Sequence, residues 1–337
     1  MSKVAVLVAV YNAAPFLEEC LNSLLQQTLQ DIQIICVDDA STDNSLDLLH
    51  RYAEQDERIE VIALQTNGGI AHARNEALKH VASDYICMLD ADDWLSVDAL
   101  MQAYNIFLQH PRTDSVLFQF VKVFPNRMHL FETLSFEVLS GIIACELSLT
   151  WQIHGIYMVR ASIHQQYPYD ETCRYYSDEN TARIHYWASR EVRSCRGIYY
   201  YRQHAISSTN KISVRRFDRL RAAESLRAFL RGHQSTQYLV HYYENIYWLT
   251  VIDLYQFYFR HRSSLSIVDR FYAVAEIKRA WQVVEPQLLK HRNRLKFGYM
   301  PLCFSWFLFR LQEEIYFSLR WLDDRLFGSC INNQSML

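Results

Sequence analysis

Long apolar runs, paired cysteines and an excess of charge of one sign are all missing from this chain of 337 residues. No uncharged apolar stretch approaches the roughly 20 residues of a membrane-spanning helix. The longest runs from Phe297 to Phe309, contains Pro301 and stops at Arg310. The eight cysteines include no CxxC pair, which favours buried, reduced thiols over a disulfide framework or a zinc site. The formal net charge of -3 gives no reason to expect nucleic-acid binding.

Signals for export and for two common nucleotide-binding classes are missing as well. The N-terminus has no basic region followed by a cleavable apolar stretch, so we expect a protein in the cytoplasm or at the inner face of the membrane. No GxGxxG motif is present, which argues against a dinucleotide-dependent oxidoreductase. The loop after the first apolar run, residues 11–15, has neither glycine nor a basic residue. A nucleotidyltransferase would need both there.

What is present is a regular alternation of strand-like and helix-like segments. The apolar runs cover residues 4–10, 32–37, 59–64 and 85–89. Segments with helical periodicity lie between them, at residues 15–27, 44–55 and 70–81. This order predicts an α/β fold with a doubly wound, mainly parallel sheet. Because ligands bind beyond the carboxyl ends of parallel strands, the polar residues that follow these runs should meet at one edge.

Three acids follow the last of these runs, at positions 90, 92 and 93. Strand residues two apart face the same side, so Asp90 and Asp92 would point at one ligand if the extended backbone continues past Ala91. Carboxylates this close raise one another's pKa unless a cation lies among them, and their oxygens suit Mg2+ or Mn2+. The pattern predicts a metal site that holds a phosphorylated ligand. The alternative is an acidic turn that caps the next helix.

Five motifs, in this order, resemble those of the family 2 glycosyltransferases. They are VAVYN at 8–12, SLLQQT at 23–28, VDDASTD at 37–43, NGG with ARN at 67–75, and LDADDW at 89–94. The resemblance covers about the first hundred residues closely and extends more loosely to about residue 210. It implies a GT-A catalytic domain in residues 1–210. Ala40 and Ala77 stand where the family usually has glycine.

The resemblance also implies a donor site. Asp39 would contact the nucleotide base, and Tyr11 would lie against the base or the ribose. Asp90 would contact the ribose or diphosphate, and Asp92 would ligate Mn2+ or Mg2+. The full set implied for the nucleotide sugar is Val10, Tyr11, Asn12, Asp39, Asn67, Gly68, Arg74, Asp90, Ala91, Asp92 and Arg202.

A closing loop at residues 201–209 completes the donor side of the resemblance. There Arg202 would neutralise the diphosphate, and His204 would touch the phosphate or the metal, unless it is a structural histidine next to a strand end. Arg74, one turn inside its helix, would reach the ligand or pair with an acid at the same edge.

On the acceptor side, inverting transfer needs a base that takes the proton of the attacking hydroxyl. The family places an acidic pair at the start of a late helix, and Asp178 and Glu179 fit that place. We predict Asp178 as the base, with Glu179 or simple N-capping as alternatives. Trp151, His154 and Gly155 stand where related enzymes line the sugar or acceptor pocket, although core packing would equally explain the tryptophan.

Residues 211–337 have apolar and aromatic residues at helical spacing, which predicts a helical C-terminal region. Basic groups at 290–296 precede the aromatic stretch 297–309. Such a segment could lie on an anionic membrane surface, or belong to an ordinary helical subdomain or a homodimer interface.

Together these patterns predict an inverting, metal-dependent glycosyltransferase. Its donor would be a nucleoside-diphosphate sugar, with UDP as the expected nucleotide, and its acceptor a hydroxyl of a glycan or lipid-linked molecule. The resemblance alone implies bacterial surface-polysaccharide synthesis as the setting. Processive synthesis is disfavoured because the Gln-x-x-Arg-Trp signature is absent: Phe317, not glutamine, precedes Arg320-Trp321 at the required spacing. The alternative is a non-catalytic glycan- or lipid-binding scaffold on a degenerate transferase fold.

Overall fold

The computed structural model describes residues 2–173, 176–203, 212–233 and 235–326. The chain divides into two compact units, Met1–Asn210 and Lys211–Leu337. Each unit has its own core, and each is described by itself.

The first unit alternates strands and helices over its first ninety residues. Its strands are β1 (Val4–Val10), β2 (Ile32–Asp38), β3 (Ile59–Ala63), β4 (Tyr85–Asp90), β5 (Trp94–Leu95), β6 (Thr113–Phe124), β7 (Arg127–Leu130), β8 (Val138–Ser140), β9 (Tyr157–Arg160) and β10 (Glu191–Arg202). Its helices are α1 (Ala14–Leu25), α2 (Ser45–Ala53), α3 (Ile70–Leu78), α4 (Ala99–Gln109), α5 (Gly141–Ser148), α6 (Ala161–Gln166) and α7 (Ser177–Ala188). The predicted order of four strands and three helices up to residue 90 is confirmed.

These strands form one mixed sheet in the order β3-β2-β1-β4-β9-β6-β10-β5, with β7 beside β6 and β8 beside β10. The strands β1 to β4 pair in parallel, as do β6 and β10. Strand β9 runs antiparallel to both β4 and β6 and so joins the two parallel groups. The parallel part of the sheet therefore carries the carboxyl ends of β1, β2 and β4 to one edge.

Alternating residues of β1 face two different cores, which explains why the strand is apolar throughout. Val6 and Val8 pack with Leu17 and Leu21 of α1 on one face. Residues of the opposite parity, such as Leu7, pack with alanines of α3 on the other. A strand that is buried on both faces must be apolar at every position, and burial of each such side chain contributes about 1.5–3 kcal/mol.

The second unit is helical, as predicted. Its helices are α8 (Asp218–Gly232), α9 (Gln237–His261), α10 (Ile267–Gln282), α11 (His291–Leu295) and α12 (Trp306–Leu326). Large aromatic side chains fill its core, with Trp248, Tyr255 and Phe309 almost wholly buried. Within the described ranges, no helix combines the length and the apolarity that a membrane crossing requires.

Candidate active site

Two strands, β2 and β4, bring acidic residues to either side of the end of β1 at one edge of the sheet. In the register of the parallel strands, Val10 lies opposite Asp38, and Ala9 lies opposite Asp90. The side chains of β2 and β4 that end these strands therefore flank the end of β1. The predicted meeting of strand ends at one edge is confirmed.

Asp39, at this edge, holds the Asn-Gly-Gly turn in place. Its two carboxylate oxygens accept hydrogen bonds from the backbone N–H groups of Gly68 and Gly69, at 2.7 and 2.8 Å. The side chain of Asn67 donates to the carbonyl oxygen of Asp39 at 3.1 Å. Gly69 has φ of +89°, a conformation that L side chains rarely adopt, so the turn needs glycine there. Asp39 thus fixes the shape of the turn at residues 67–69, and both of its carboxylate oxygens are used in doing so.

The turn after β1 is stabilised by the turn after β2. Asn12 has a left-handed φ of +51°, and its side-chain oxygen accepts a hydrogen bond from the backbone N–H of Thr42 at 2.7 Å. The backbone N–H of Asn12 donates to the hydroxyl of Ser41 at 3.0 Å. Val10 contributes a carbonyl that accepts from the backbone N–H of Asp39 at 2.8 Å. This network leaves Tyr11 half exposed beside the carboxyl ends of the strands, where its ring is free to cover a flat ligand.

The acidic segment is a turn and does not continue the strand. Strand β4 ends at Asp90, and the backbone N–H of Asp93 donates to the carbonyl of Asp90 at 3.0 Å. The condition that the extended backbone continues past Ala91 is therefore not met. The turn, and not strand alternation, sets the directions of Asp90 and Asp92, because an i to i+3 hydrogen bond reverses the chain.

Asp93 is the buried acid of this turn. Its carboxylate accepts hydrogen bonds from the hydroxyl of Tyr199 and from the backbone N–H of Arg202, both at 2.8 Å. The Tyr199 hydroxyl also accepts from the backbone N–H of Asp90 at 3.2 Å. Burial, together with the charges of Asp90 and Asp92, raises the pKa of Asp93 to about 9. Asp93 and Tyr199 therefore tie the acidic turn to β10.

Asp90 forms an ion pair with Arg74 of α3, with 2.5 Å between the guanidinium and a carboxylate oxygen. The Arg74 guanidinium also lies over the ring of Tyr169, at 5.1 Å from its centroid. Asn75 holds Tyr169 there by two backbone hydrogen bonds of 2.9 Å. The neighbouring charges of Tyr169, Asp90 and Asp178 raise the pKa of Arg74 although burial acts in the opposite direction. Arg74 therefore remains a fixed cation inside the site.

The guanidinium of Arg202 binds the backbone of the acidic turn. Its guanidinium donates to the carbonyl of Asp92 at 2.9 Å and is hydrogen-bonded to Glu19. The same group stacks on Trp94, at 4.5 Å from the ring centroid, and on Phe16. In this arrangement Arg202 positions the turn. His204, the other predicted residue of the closing loop, lies outside the described residues.

A cavity of about 270 Å³ connects the acidic turn with the start of α7. Its lining includes Arg74 and Asp90 together with Asp178 and Glu179. Its remaining wall includes Trp151, His154, Gly155, Lys122, Tyr169, Tyr199 and Tyr201. Two of the implied donor residues, Arg74 and Asp90, thus border the same space as the candidate bases. The other implied donor residues do not line this cavity.

The two candidate bases differ in their surroundings. Glu179 forms an ion pair with Arg183 at 3.2 Å, one helical turn later. Asp178 is exposed, and its charge is close enough to raise the pKa of Arg74. The helix cap is Tyr176, in a left-handed conformation with φ of +68° and no side-chain cap hydrogen bond. The acids are therefore not the N-cap, and strained backbone of this kind is typical of functional sites.

Sequence reasoning missed several residues of the site. Tyr199 and Tyr201 both line the cavity, and both belong to a strand in which alternate residues share a face. That alternation could have pointed to them. Tyr169 and Lys122 carried no motif, and only the folded chain brings them to the cavity.

The residues at the acidic turn suit a divalent cation by their chemistry. Two carboxylates, Asp90 and Asp92, lie at the sheet edge, and Mg2+ is commonly held by one or two carboxylates with phosphate oxygens of the substrate. In the described part of the chain, no group of three His, Cys, Asp or Glu side chains is arranged as a complete protein metal site. The donor set therefore fits a cation shared with a diphosphate.

Comparison with known proteins relates the first half of the chain to a family. The model of glycosyl transferase family 2 matches residues 5–168. The poly(ribitol-phosphate) beta-glucosyltransferase of Bacillus spizizenii is 41% identical over 118 residues, which cover 34% of this chain and 18% of that protein. In further curated relatives the aligned part spans from 14% to 44% of their own length. The chain thus matches less than half of the length of these relatives.

Two solved structures share the fold. Residues 1–349 of S. aureus TarS, in complex with UDP, give a TM-score of 0.70 at 17% identity, covering 99% of this chain and 94% of that one. The same fragment was solved in complex with UDP-GlcNAc. The mannosyltransferase PcManGT from Pyrobaculum calidifontis, in complex with GDP-Man and Mn2+, gives a TM-score of 0.51 at 16% identity, covering 97% of this chain and 88% of that one. These likenesses concern the fold and confirm the expected GT-A arrangement. Residues 5–168, just under half of the chain, therefore match the domain of glycosyl transferase family 2.

Proposed function

We propose that the chain is an inverting, metal-dependent glycosyltransferase. It transfers one sugar from a nucleoside-diphosphate sugar, with UDP as the expected nucleotide, to a hydroxyl of a glycan or lipid-linked acceptor in surface-polysaccharide synthesis. The observation that carries the proposal is the cavity that joins Asp90 to Asp178, because transfer needs a donor-binding group and an acceptor base around one space.

The donor half of the proposal depends on the strand ends. Tyr11 offers an exposed ring for the base, and Asp39 with the Asn-Gly-Gly turn offers a formed polar surface beside it. The structural neighbour TarS was solved with UDP and with UDP-GlcNAc, which supports UDP as the nucleotide. The Bacillus spizizenii relative is named as a glucosyltransferase acting on poly(ribitol phosphate), which supports a surface-polymer acceptor.

The metal half depends on Asp90 and Asp92. A divalent cation bound there would supply positive charge for the departing diphosphate. The neighbour PcManGT was solved with Mn2+, which supports Mn2+ or Mg2+. Arg74 holds one oxygen of Asp90, so Asp92 is the residue that we assign as the main protein ligand.

In the transfer step, Asp178 accepts the proton of the acceptor hydroxyl. The oxygen of that hydroxyl forms a bond to the anomeric carbon of the sugar while the bond from that carbon to the diphosphate oxygen breaks. The nucleoside diphosphate leaves with the electron pair, and the configuration inverts because attack and departure occur on opposite faces. Glu179 is less suited to this role, since Arg183 already pairs with it.

The experiment is a thermal-shift panel of UDP- and GDP-sugars, with and without Mn2+, combined with an assay of sugar-nucleotide hydrolysis. We expect a metal-dependent shift with UDP-sugars and slow metal-dependent hydrolysis. In Asp92→Asn the metal-dependent part should disappear, whereas the surface variant Asp47→Asn should behave as wild type. No shift with any donor, and no hydrolysis, would favour the scaffold alternative.

A further inference from the structure

The second unit exposes a row of large apolar side chains on α12 and on the segment before it. Phe304 and Phe307 are 78% and 72% exposed, and Leu308, Leu311, Ile315 and Leu319 continue the row at helical spacing. The opposite face of α12 is buried, through Phe309 and Phe317. The helix is therefore apolar on two faces, and the core covers only one of them.

The exposure is built into the fold, because the segment before α12 is anchored. The indole N–H groups of Trp248 and Trp281 donate to the carbonyls of Tyr299 and Pro301, the first at 2.7 Å. A Cβ at Gly298, where φ is +79°, would lie 2.2 Å from the ring of Tyr316. These contacts fix the chain so that Phe304 faces outwards.

The exposed charges that precede this row have one sign, whereas within the row Glu313 is buried and Glu314 is paired with Arg310. Residues 286–312 contain no aspartate or glutamate, although they include Lys290, Arg292, Arg294, Lys296 and Arg310. The first four are exposed, and among the described residues no carboxylate forms an ion pair with them. Leu295 and Phe297, between and beside them, are exposed too.

The basic end of the segment is attached to α12. The ring of Phe297 meets that of Tyr316 of α12 at 6.2 Å, and the amine of Lys296 lies over the ring of Tyr299 at 4.6 Å. Tyr299 in turn contacts Tyr316. Basic and apolar side chains are thus held together along residues 290–319, which we call the aromatic-basic surface.

We propose that the aromatic-basic surface docks on an anionic phospholipid bilayer. The bilayer interface accepts aromatic and leucine side chains at the depth of the acyl boundary, and anionic headgroups attract lysine and arginine. The absence of acids from residues 286–312 is the charge complementarity that such a surface requires. A second copy of the chain would bring the same positive charges together and is the less favourable occupant. This inference goes beyond the proposed transfer reaction and does not depend on it.

The test is sedimentation of the full chain with vesicles of phosphatidylglycerol and phosphatidylcholine, against vesicles of phosphatidylcholine alone. We expect binding to the anionic vesicles only, weakened by salt. The double variant Phe304→Ser/Phe307→Ser should lower the partition coefficient at least about tenfold. Arg292→Gln/Arg294→Gln should lower it about fivefold per charge removed.

The matched control is Phe271→Ser on α10, where Phe271 is 75% exposed beside Asp269 and Arg270. It removes the same kind of side chain outside the aromatic-basic surface and should bind vesicles as wild type does. Thermal midpoints of all variants check that they fold. We expect these midpoints to equal that of the wild type, because the substituted residues are exposed. Equal binding by wild type and the double phenylalanine variant would overturn the proposal. A dimer of the wild type, detected by analytical ultracentrifugation and absent in the double phenylalanine variant, would also overturn it.

Discussion

At the scale of single residues, neighbouring charges give two adjacent acids different properties. Both acids line the cavity, but Glu179 is paired with Arg183, whereas Asp178 is exposed. A base must be able to contact the hydroxyl of a ligand, and the Glu179 carboxylate is already held by the Arg183 guanidinium. The assignment of Asp178 therefore has a direct consequence for activity.

We expect Asp178→Asn to lower turnover by roughly 10²–10⁴-fold while donor binding survives, because general-base catalysis contributes this much. Steady-state kinetics and a donor thermal shift measure the two effects separately. Glu179→Gln is the matched control and should cost much less turnover. If Asp178→Asn keeps wild-type turnover and Glu179→Gln does not, the two roles are exchanged.

The backbone conformation of a single residue also matters at Ala40, a position where the family usually has glycine. The backbone there is left-handed, with φ of +57°. A residue with a Cβ pays about 1–2 kcal/mol for this conformation, which glycine avoids. The turn keeps its shape in spite of alanine, because Asp38 accepts a hydrogen bond from the backbone N–H of Ser41 at 3.0 Å.

At the scale of elements, the position of α7 decides where Asp178 lies. Helix α7 packs closely against the start of α5, since a Cβ at Gly141 would lie 2.0 Å from the carbonyl oxygen of Ser189 and 2.2 Å from that of Tyr186. Both contacts are with backbone, which cannot rotate away. The absence of a side chain at Gly141 is therefore a condition of this packing.

We expect Gly141→Ala to destabilise the protein by about 1–3 kcal/mol, because overpacking forces the two helices apart. Denaturant unfolding measures the change. Gly232→Ala, at the end of α8, is the matched control: its added Cβ meets nothing within 4 Å, and its stability should stay near that of wild type. Equal stabilities of the two variants would show that α5 and α7 are not in this close contact.

At the scale of the whole molecule, buried histidines and a buried glutamate change the free energy of unfolding in opposite directions as the pH changes. Burial lowers the pKa of His154 and His185 to about 4. Between pH 6.5 and 4 the unfolded chain therefore binds more protons at these two histidines than the folded chain does. The free energy of unfolding consequently decreases as the pH falls through this range. Glu313 acts in the other direction, since burial raises its pKa to about 8. The folded state therefore holds a proton that the unfolded chain releases, and the free energy of unfolding falls as the pH rises from about 4.5 to 8.

We expect Glu313→Gln to remove this alkaline loss, which amounts to up to about 5 kcal/mol, and to leave the acid side of the curve unchanged. Unfolding free energies from pH 4 to 9 test this. Glu314→Gln is the neighbouring control. Glu314 is hydrogen-bonded to Arg310, Tyr255 and Arg262, and its pKa is lowered despite partial burial. Its loss should lower stability by a nearly constant amount above pH 6. Parallel wild-type and Glu313→Gln curves would contradict the prediction.

The sequence by itself determined the order of elements up to residue 90 and the edge at which the acids meet. Both depend on local periodicity, which each segment carries in its own residues. The ends of the predicted segments lie within three residues of the observed ones. The resemblance to family 2 glycosyltransferases, and not periodicity alone, singled out Asp178 and Glu179 at a helix start.

Only the tertiary structure decided how the side chains at this edge are used. The hydrogen bond between Tyr199 and Asp93 joins residues 106 apart in the chain, and Arg202 reaches Glu19 across 183. Contacts at such separations depend on which strands become neighbours, and no local pattern records that. For the same reason the turn after Asp90 and the cavity wall at Tyr169 and Lys122 emerged only with the fold.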